Sequence, residues 1–185
     1  MVPLPTLWLP ILLSAVVVFL ASSVMHTLLP YHRNDYRQLP EEDKIRTCMR
    51  AAGLQQGLYI FPFSTPKEMK SAAMLEKLRE GPVGMMSIFP KGPIFMPKLL
   101  GLWFAYSLLI SCFVAYLTGH AVAPRENYLS VFRIAGTAAF MAYGFGSISN
   151  GIWKGQPWSM VVKEVFDGLV YGLLTAGTFG WLWPR

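Results

Sequence analysis

Charge is what this 185-residue chain has least of: 14% of its residues are charged, against about a quarter in a typical soluble domain. The shortage is uneven. Eighteen of the 26 charged residues fall between Arg33 and Lys98, and the rest of the chain runs almost charge-free for long stretches. Several such stretches exclude an ordinary soluble domain, because each would turn an apolar face to water, whereas a bilayer accommodates them. There are only two cysteines. Cys48 lies in a polar segment and Cys112 in an apolar one, which excludes a disulfide between them. No metal-ligand or redox spacing is present, and no cofactor is expected. The signatures GxGxxG, Walker A, HExxH and GxSxG are all missing, so no enzymatic activity is expected. The net charge of +6 is not a nucleic-acid footprint. The basic residues of the charged segment alternate with Glu41, Glu42, Asp43, Glu68, Glu76 and Glu80, and no basic stripe forms. The lipid bilayer is the expected partner, with the excess positive charge held at its cytoplasmic face.

Four apolar stretches reach the roughly 20 residues that a helix needs to cross the hydrocarbon core: 7–29, 99–122, 134–153 and 165–183. They are continuous rather than alternating, which predicts helices and not barrel strands. The expected fold is an all-α membrane protein, with four transmembrane helices in a bundle and a small α+β extramembrane insert between spans one and two. The expected division is 1–29 for the first span, 30–98 for the insert and 99–185 for the three-helix region that completes the bundle. Residues 1–6 carry no charge, so the first span lacks the basic flank of a cleaved signal peptide and is read as a retained helix.

Basic residues set the expected orientation. Arg33, Arg37, Lys91, Lys98, Lys154 and Lys163 lie near span ends on one side, and Arg125, Arg133 and Arg185 on the other. The positive-inside rule then places the long loop in the cytoplasm and both termini outside. Trp8, Trp181 and Trp183 would mark one interface, and Trp103, Trp153 and Trp158 the other.

Helices meet in lipid where small residues allow close approach. The fourth span carries Gly168, Gly172, Ala176 and Gly180 at four-residue spacing. The second carries Ser107, Ser111, Ala115 and Gly119, and the third Ala138, Ala142, Gly146 and Asn150. These stripes predict a compact bundle, with a homo-oligomer or a membrane-protein partner as the use of any stripe left free.

The insert reads as helix, strand, helix, strand. Pro40 with Glu41, Glu42 and Asp43 opens a helix that Gly53 stops. Residues 57–63 read as a strand. Thr65, Pro66 and Glu68 form a capping box that opens a helix running to Glu80 and stopped by Gly81. Residues 83–89 read as a second strand. Two strands and two short helices make a marginal independent fold, so Tyr59, Phe61, Phe63, Met85, Met86 and Phe89 are expected either to pack together or to supply a contact with the membrane face.

Polar groups inside spans are costly and are functional candidates by default. Asp167, Asn150 and His26 each lie about one turn from a helix end on the loop side, and so at similar depth in one leaflet. Together they form a candidate polar cluster for a proton, an ion or a small ligand. Lys163, four residues before Asp167, is its expected ion-pair partner. His120, on the opposite side, reads as an interfacial residue.

The segments Asp35-Tyr-Arg-Gln-Leu-Pro-Glu-Glu-Asp43, Gly81-Pro-Val-Gly-Met-Met86 and Phe166-Asp-Gly-Leu-Val-Tyr-Gly-Leu-Leu-Thr-Ala-Gly177 resemble a group of uncharacterised bacterial integral membrane proteins. Residues 158–180 are also similar to a broader bacterial membrane domain of unknown function. The resemblance implies a bacterial inner-membrane location and four spans, and it carries no catalytic residue. The expected role is a non-enzymatic structural, assembly or interaction component. The alternative is a small proton- or ion-linked transport or ligand-binding module that uses the polar cluster.

Overall fold

The computed structural model describes residues 1–184; Arg185, counted above among the basic residues of the outer face, lies outside the described residues. The chain forms two compact units. One comprises Met1–Asp35, Phe95–Ile152 and the chain from Gln156 onward, and the other comprises Tyr36–Ile94 with Trp153–Gly155.

The first unit is a bundle of α1 (Trp8–Thr27), α4 (Met96–Ala121), α5 (Tyr128–Lys154) and α6 (Trp158–Trp181). Three of these helices, α1 with its leading 3₁₀ turn, α4 and α5, are long and apolar enough to cross a membrane. Helix α6 has 24 residues, but Lys163, Glu164 and Asp167 load its first turns with charge, and its glycines and threonines dilute the remainder. A membrane protein with three apolar helices is the architecture that length and composition establish.

The packing follows small residues. Gly168 of α6 lies so close to α5 that a Cβ added there would sit 2.5 Å from the Gly144 Cα. One turn on, a Cβ at Gly172 would meet the Phe140 backbone nitrogen at 3.1 Å, and one at Gly180 would meet the Tyr128 ring at 2.6 Å. Ala176 faces Gly136 in the same row. The α4 stripe packs on α1 instead. Ser14 donates to Ser111 at 3.0 Å across that interface, Ser107 and Ala115 are fully buried, and a Cβ at Gly119 would meet the Val2 carbonyl at 2.7 Å.

The third expected stripe fails. Ala142 and Gly146 are exposed, and a Cβ at Gly146 would meet nothing within 4 Å. The face of α5 that packs is Val131, Ala135, Ala139 and Gly144. Both faces of this helix carry small residues, so spacing alone does not choose between them.

The helix ends are tied across the bundle. Val2 N–H donates to the Gly119 carbonyl at 2.8 Å, and Arg125 N–H to Pro184 at 2.9 Å. Trp183 Nε1 donates to the Ala123 carbonyl at 2.9 Å. The start of α1, the end of α4 and the end of α6 are therefore at one end of the bundle. At the other end, Trp103 Nε1 near the start of α4 donates to Ser22 near the end of α1, at 2.8 Å. Trp103 and Trp183 are thus internal donors rather than interface markers, whereas Trp8, Trp153, Trp158 and Trp181 are exposed.

The second unit holds α2 (Glu42–Ala51), β1 (Gly57–Phe61), α3 (Ala72–Glu80) and β2 (Gly84–Ile88). The strands pair antiparallel, with Tyr59 opposite Met86. Pro40 precedes α2 rather than entering it, because Glu41 takes a left-handed conformation and becomes its N-cap. Gly53 and Gly81 end the two helices at positive φ, as expected of helix stops. Only half of the capping box forms: Thr65 N–H donates to Glu68 Oε2 at 3.3 Å, while Thr65 Oγ1 donates to the same carboxylate at 2.8 Å instead of accepting from the Glu68 N–H, which goes to the Thr65 carbonyl. It closes only an isolated turn, however, because Ser71 is extended and starts α3 afresh by accepting from Met74 N–H. The apolar residues expected to act together fall on opposite faces of the hairpin. Tyr59, Phe61 and Met86 are half-buried, while Leu58, Ile60 and Met85 face outward.

The row of close approaches on α6 sets an expectation. Gly168→Ala forces two helix backbones apart and costs about 1–3 kcal/mol, the usual range for overpacking. Gly146→Ala adds a methyl in open space inside a helix and raises stability by up to about 1 kcal/mol. Thermal unfolding of the two variants in detergent checks the contrast.

Candidate functional site

Helix α1 ends at Thr27, and Pro30 opens a 3₁₀ turn over Pro30–His32. Proline suits that position because its fixed φ is preorganised and its missing N–H has no helical partner there. Arg33 N–H then donates to Pro30, and Asp35 N–H to His32, each at 3.1 Å. These two tight turns fold Tyr31, His32 and Asp35 back over the first turns of α6.

The turn meets Asp167, which is 3% exposed. A buried carboxylate is tolerable only when it is paired and hydrogen-bonded. Tyr31 donates its hydroxyl to Asp167 Oδ1. The Oδ2 atom faces two imidazoles: His32 Nε2 at 2.9 Å and His26 Nε2 at 3.8 Å. The two rings stack with centroids 4.4 Å apart. Each imidazole is oriented by its other nitrogen. His26 Nδ1 lies 3.0 Å from the Ser22 carbonyl, and His32 Nδ1 lies 2.5 Å from Asp35 Oδ2. Lys163 Nζ completes the network by donating to Asp35 Oδ1 at 2.5 Å and to the Tyr31 carbonyl at 2.6 Å.

This arrangement revises the sequence reading in three places. Asp167 and His26 do come together. Asn150 does not join them; among the described residues its carbonyl accepts from Gln156 N–H at 3.3 Å, and its side chain makes no hydrogen bond to the cluster. Lys163 pairs with Asp35, not with Asp167, because the turn after α1 inserts a nearer acid. Tyr31, His32 and Asp35 were missed. The signal that would have found them is the His32-x-x-Asp35 spacing beside Pro30, which a turn brings onto one face. His120 stays apart, exposed and bonded to the Tyr116 carbonyl at 2.8 Å.

The local fields are consistent with a preorganised site. Burial and the adjacent Asp167 carboxylate push the Tyr31 phenol well above its ordinary value, so it remains a donor. For Asp35, burial acts to raise the carboxyl, but hydrogen bonds from Lys163 and His32 outweigh it and hold the group below its ordinary value. Beside His26 an apolar cleft of about 320 Å³ is lined by Ser22, Ser23, Thr27, Met96, Leu100 and Trp103. One turn along α6 from Asp167, the buried Tyr171 hydroxyl has no hydrogen-bond partner among the described residues.

No protein family, curated protein or solved structure matches the chain. The site is therefore read from its own geometry.

The Asp35 pairing gives a pH expectation. A carboxyl whose folded value is depressed contributes stability above its unfolded value of about 3.9. That contribution is lost as pH falls from there through the lower folded value. Asp35→Asn therefore lowers the thermal midpoint at pH 7, and the gap between variant and parent narrows below about pH 4. Unfolding curves at both pH values check it.

Proposed function

We propose that this protein is a four-span membrane protein that binds an ion or small polar ligand at the His26–His32–Asp167 cluster, near the cytoplasmic face of a bacterial inner membrane. The carrying observation is Asp167 itself: a buried acid more than two turns inside α6, held on one oxygen by Tyr31 and left facing two imidazoles on the other. A purely structural bundle gains nothing from such a group, since apolar residues of the same volume are as stabilising or more so. Polar residues at membrane depth are kept for ligands, ions and protons.

Four spans are supported by the ties along α1 and α6. The His26–Asp167 approach pairs the end of α1 with the first half of α6. The links through Gly119, Ala123 and Pro184 pair the opposite ends. If α1 crosses the bilayer, α6 crosses beside it, and its 24 residues extend about 36 Å at a rise of about 1.5 Å each. An even number of spans puts both termini on one face. Reporter fusions at the two ends are expected to give the same, extracytoplasmic answer; opposite answers would leave α6 outside the membrane.

The cleft beside His26 gives a ligand a route to the cluster, because the His26 side chain is 52% exposed while Asp167 is closed off. Native mass spectrometry of the chain purified from its own membranes in mild detergent tests the function. A retained small species that is lost in Asp167→Asn is the expected result. A chain with no small species but with a stoichiometric second protein, unaffected by Asp167→Asn, would instead favour an assembly role.

A further inference from the structure

We infer that the ligand is a divalent transition-metal ion of the zinc type, held by His26 Nε2, His32 Nε2 and Asp167 Oδ2; this rests on the ligand-binding function proposed above and specifies its chemistry. The three donor groups already converge, with one ligand atom from each lying within 4.8 Å of the others. In a tetrahedral zinc site, with metal–ligand bonds of about 2.0–2.1 Å, ligand atoms lie about 3.3–3.4 Å apart. The two distances to Asp167 Oδ2, 2.9 and 3.8 Å, fall on either side of that value. Closing on one ion requires the stacked His26 ring to tilt, and its exposure leaves it free to do so.

The outer contacts are those a metal site needs. A ligating histidine ordinarily gives its second nitrogen to a carboxylate or a carbonyl, which fixes the tautomer and aims the first. His32 does this with Asp35 and His26 with the Ser22 carbonyl. Asp35 is in turn held by Lys163. Tyr31 occupies Asp167 Oδ1, which leaves Oδ2 as the ligating atom. Every proposed ligand therefore has a partner that orients it.

The donor set selects the class of ion. Two imidazoles and one carboxylate suit zinc and its neighbours, whereas magnesium and calcium call for all-oxygen sets. Three protein ligands leave a fourth position, which the exposed side of His26 opens to water or to a ligand from the cleft.

The test is a Zn(II) titration of the full chain in detergent, after stripping with a chelator, in competition with a chromophoric chelator. One ion per chain is expected. His26→Gln, His32→Gln and Asp167→Asn are each expected to weaken binding at least 100-fold. Tyr31→Phe, which removes only an orienting contact, is expected to weaken it about 10–100-fold. His120→Gln leaves binding unchanged, and Mg(II) at the same concentration does not compete. His26→Gln alters a half-exposed side chain and is the variant least able to disturb folding, so its result stands even if Asp167→Asn fails to fold. Binding no tighter in the wild type than in His26→Gln overturns the inference. If Zn(II) fails to bind but native mass spectrometry still finds a different species that depends on Asp167, the metal inference falls while the proposed function stands. If neither is found, both fall.

Discussion

The bundle has one group that nothing in a bilayer would stabilise unaided: the carboxylate of Asp167, almost fully buried on a helix whose other buried residues are uncharged. Leaving such a charge unpaired costs several kcal/mol. The turn after α1 compensates for it, and much of the surrounding structure can be read as serving that arrangement. Pro30 sets the turn, Tyr31 and His32 meet the carboxylate, and Asp35 and Lys163 hold His32 and the turn in place. Two acids face one lysine and two imidazoles, so the network has the means to balance its own charge without water.

Close packing elsewhere is what lets this cluster be small. Gly168 follows Asp167 directly and lets α6 lie against α5 nearly backbone to backbone. Trp103 reaches Ser22 between α4 and α1, and the two residues line the cleft beside His26. The same helix turn of α6 thus carries both the acid of the cluster and a packing glycine, and changes to either residue are expected to disturb the other.

Much of the architecture was legible in the sequence, because hydrophobic runs and small-residue spacing are local properties. Three of the four apolar segments, the stripes on α4 and α6 and the helix stops at Gly53 and Gly81 could be read directly. The third stripe was misplaced because α5 offers small residues on more than one face, and only a partner helix decides between them. Asp167 and His26 were found because a polar residue inside an apolar run stands out against its neighbours. His32 and Asp35 were not, because they lie in a segment already rich in charge, where the His32-x-x-Asp35 spacing beside Pro30 is easily passed over. His32 is 135 residues from Asp167 in the chain, so no local spacing rule connects the two. The capping box misled in the opposite way: its carboxylate half formed, but Ser71 a few residues on offered a second start, and the helix began there.

The central claim is that the turn after α1 and the acid of α6 act as one unit. A double-mutant cycle on His32 and Asp167 tests it most directly, using His32→Gln, Asp167→Asn and the pair, with unfolding stability measured in detergent without added metal. The account predicts strong non-additivity, with the double variant little worse than the more damaging single one and a coupling energy of about 1–3 kcal/mol. Additive effects within about 0.5 kcal/mol would contradict it, because the two residues would then act independently and the cluster would not exist as a site.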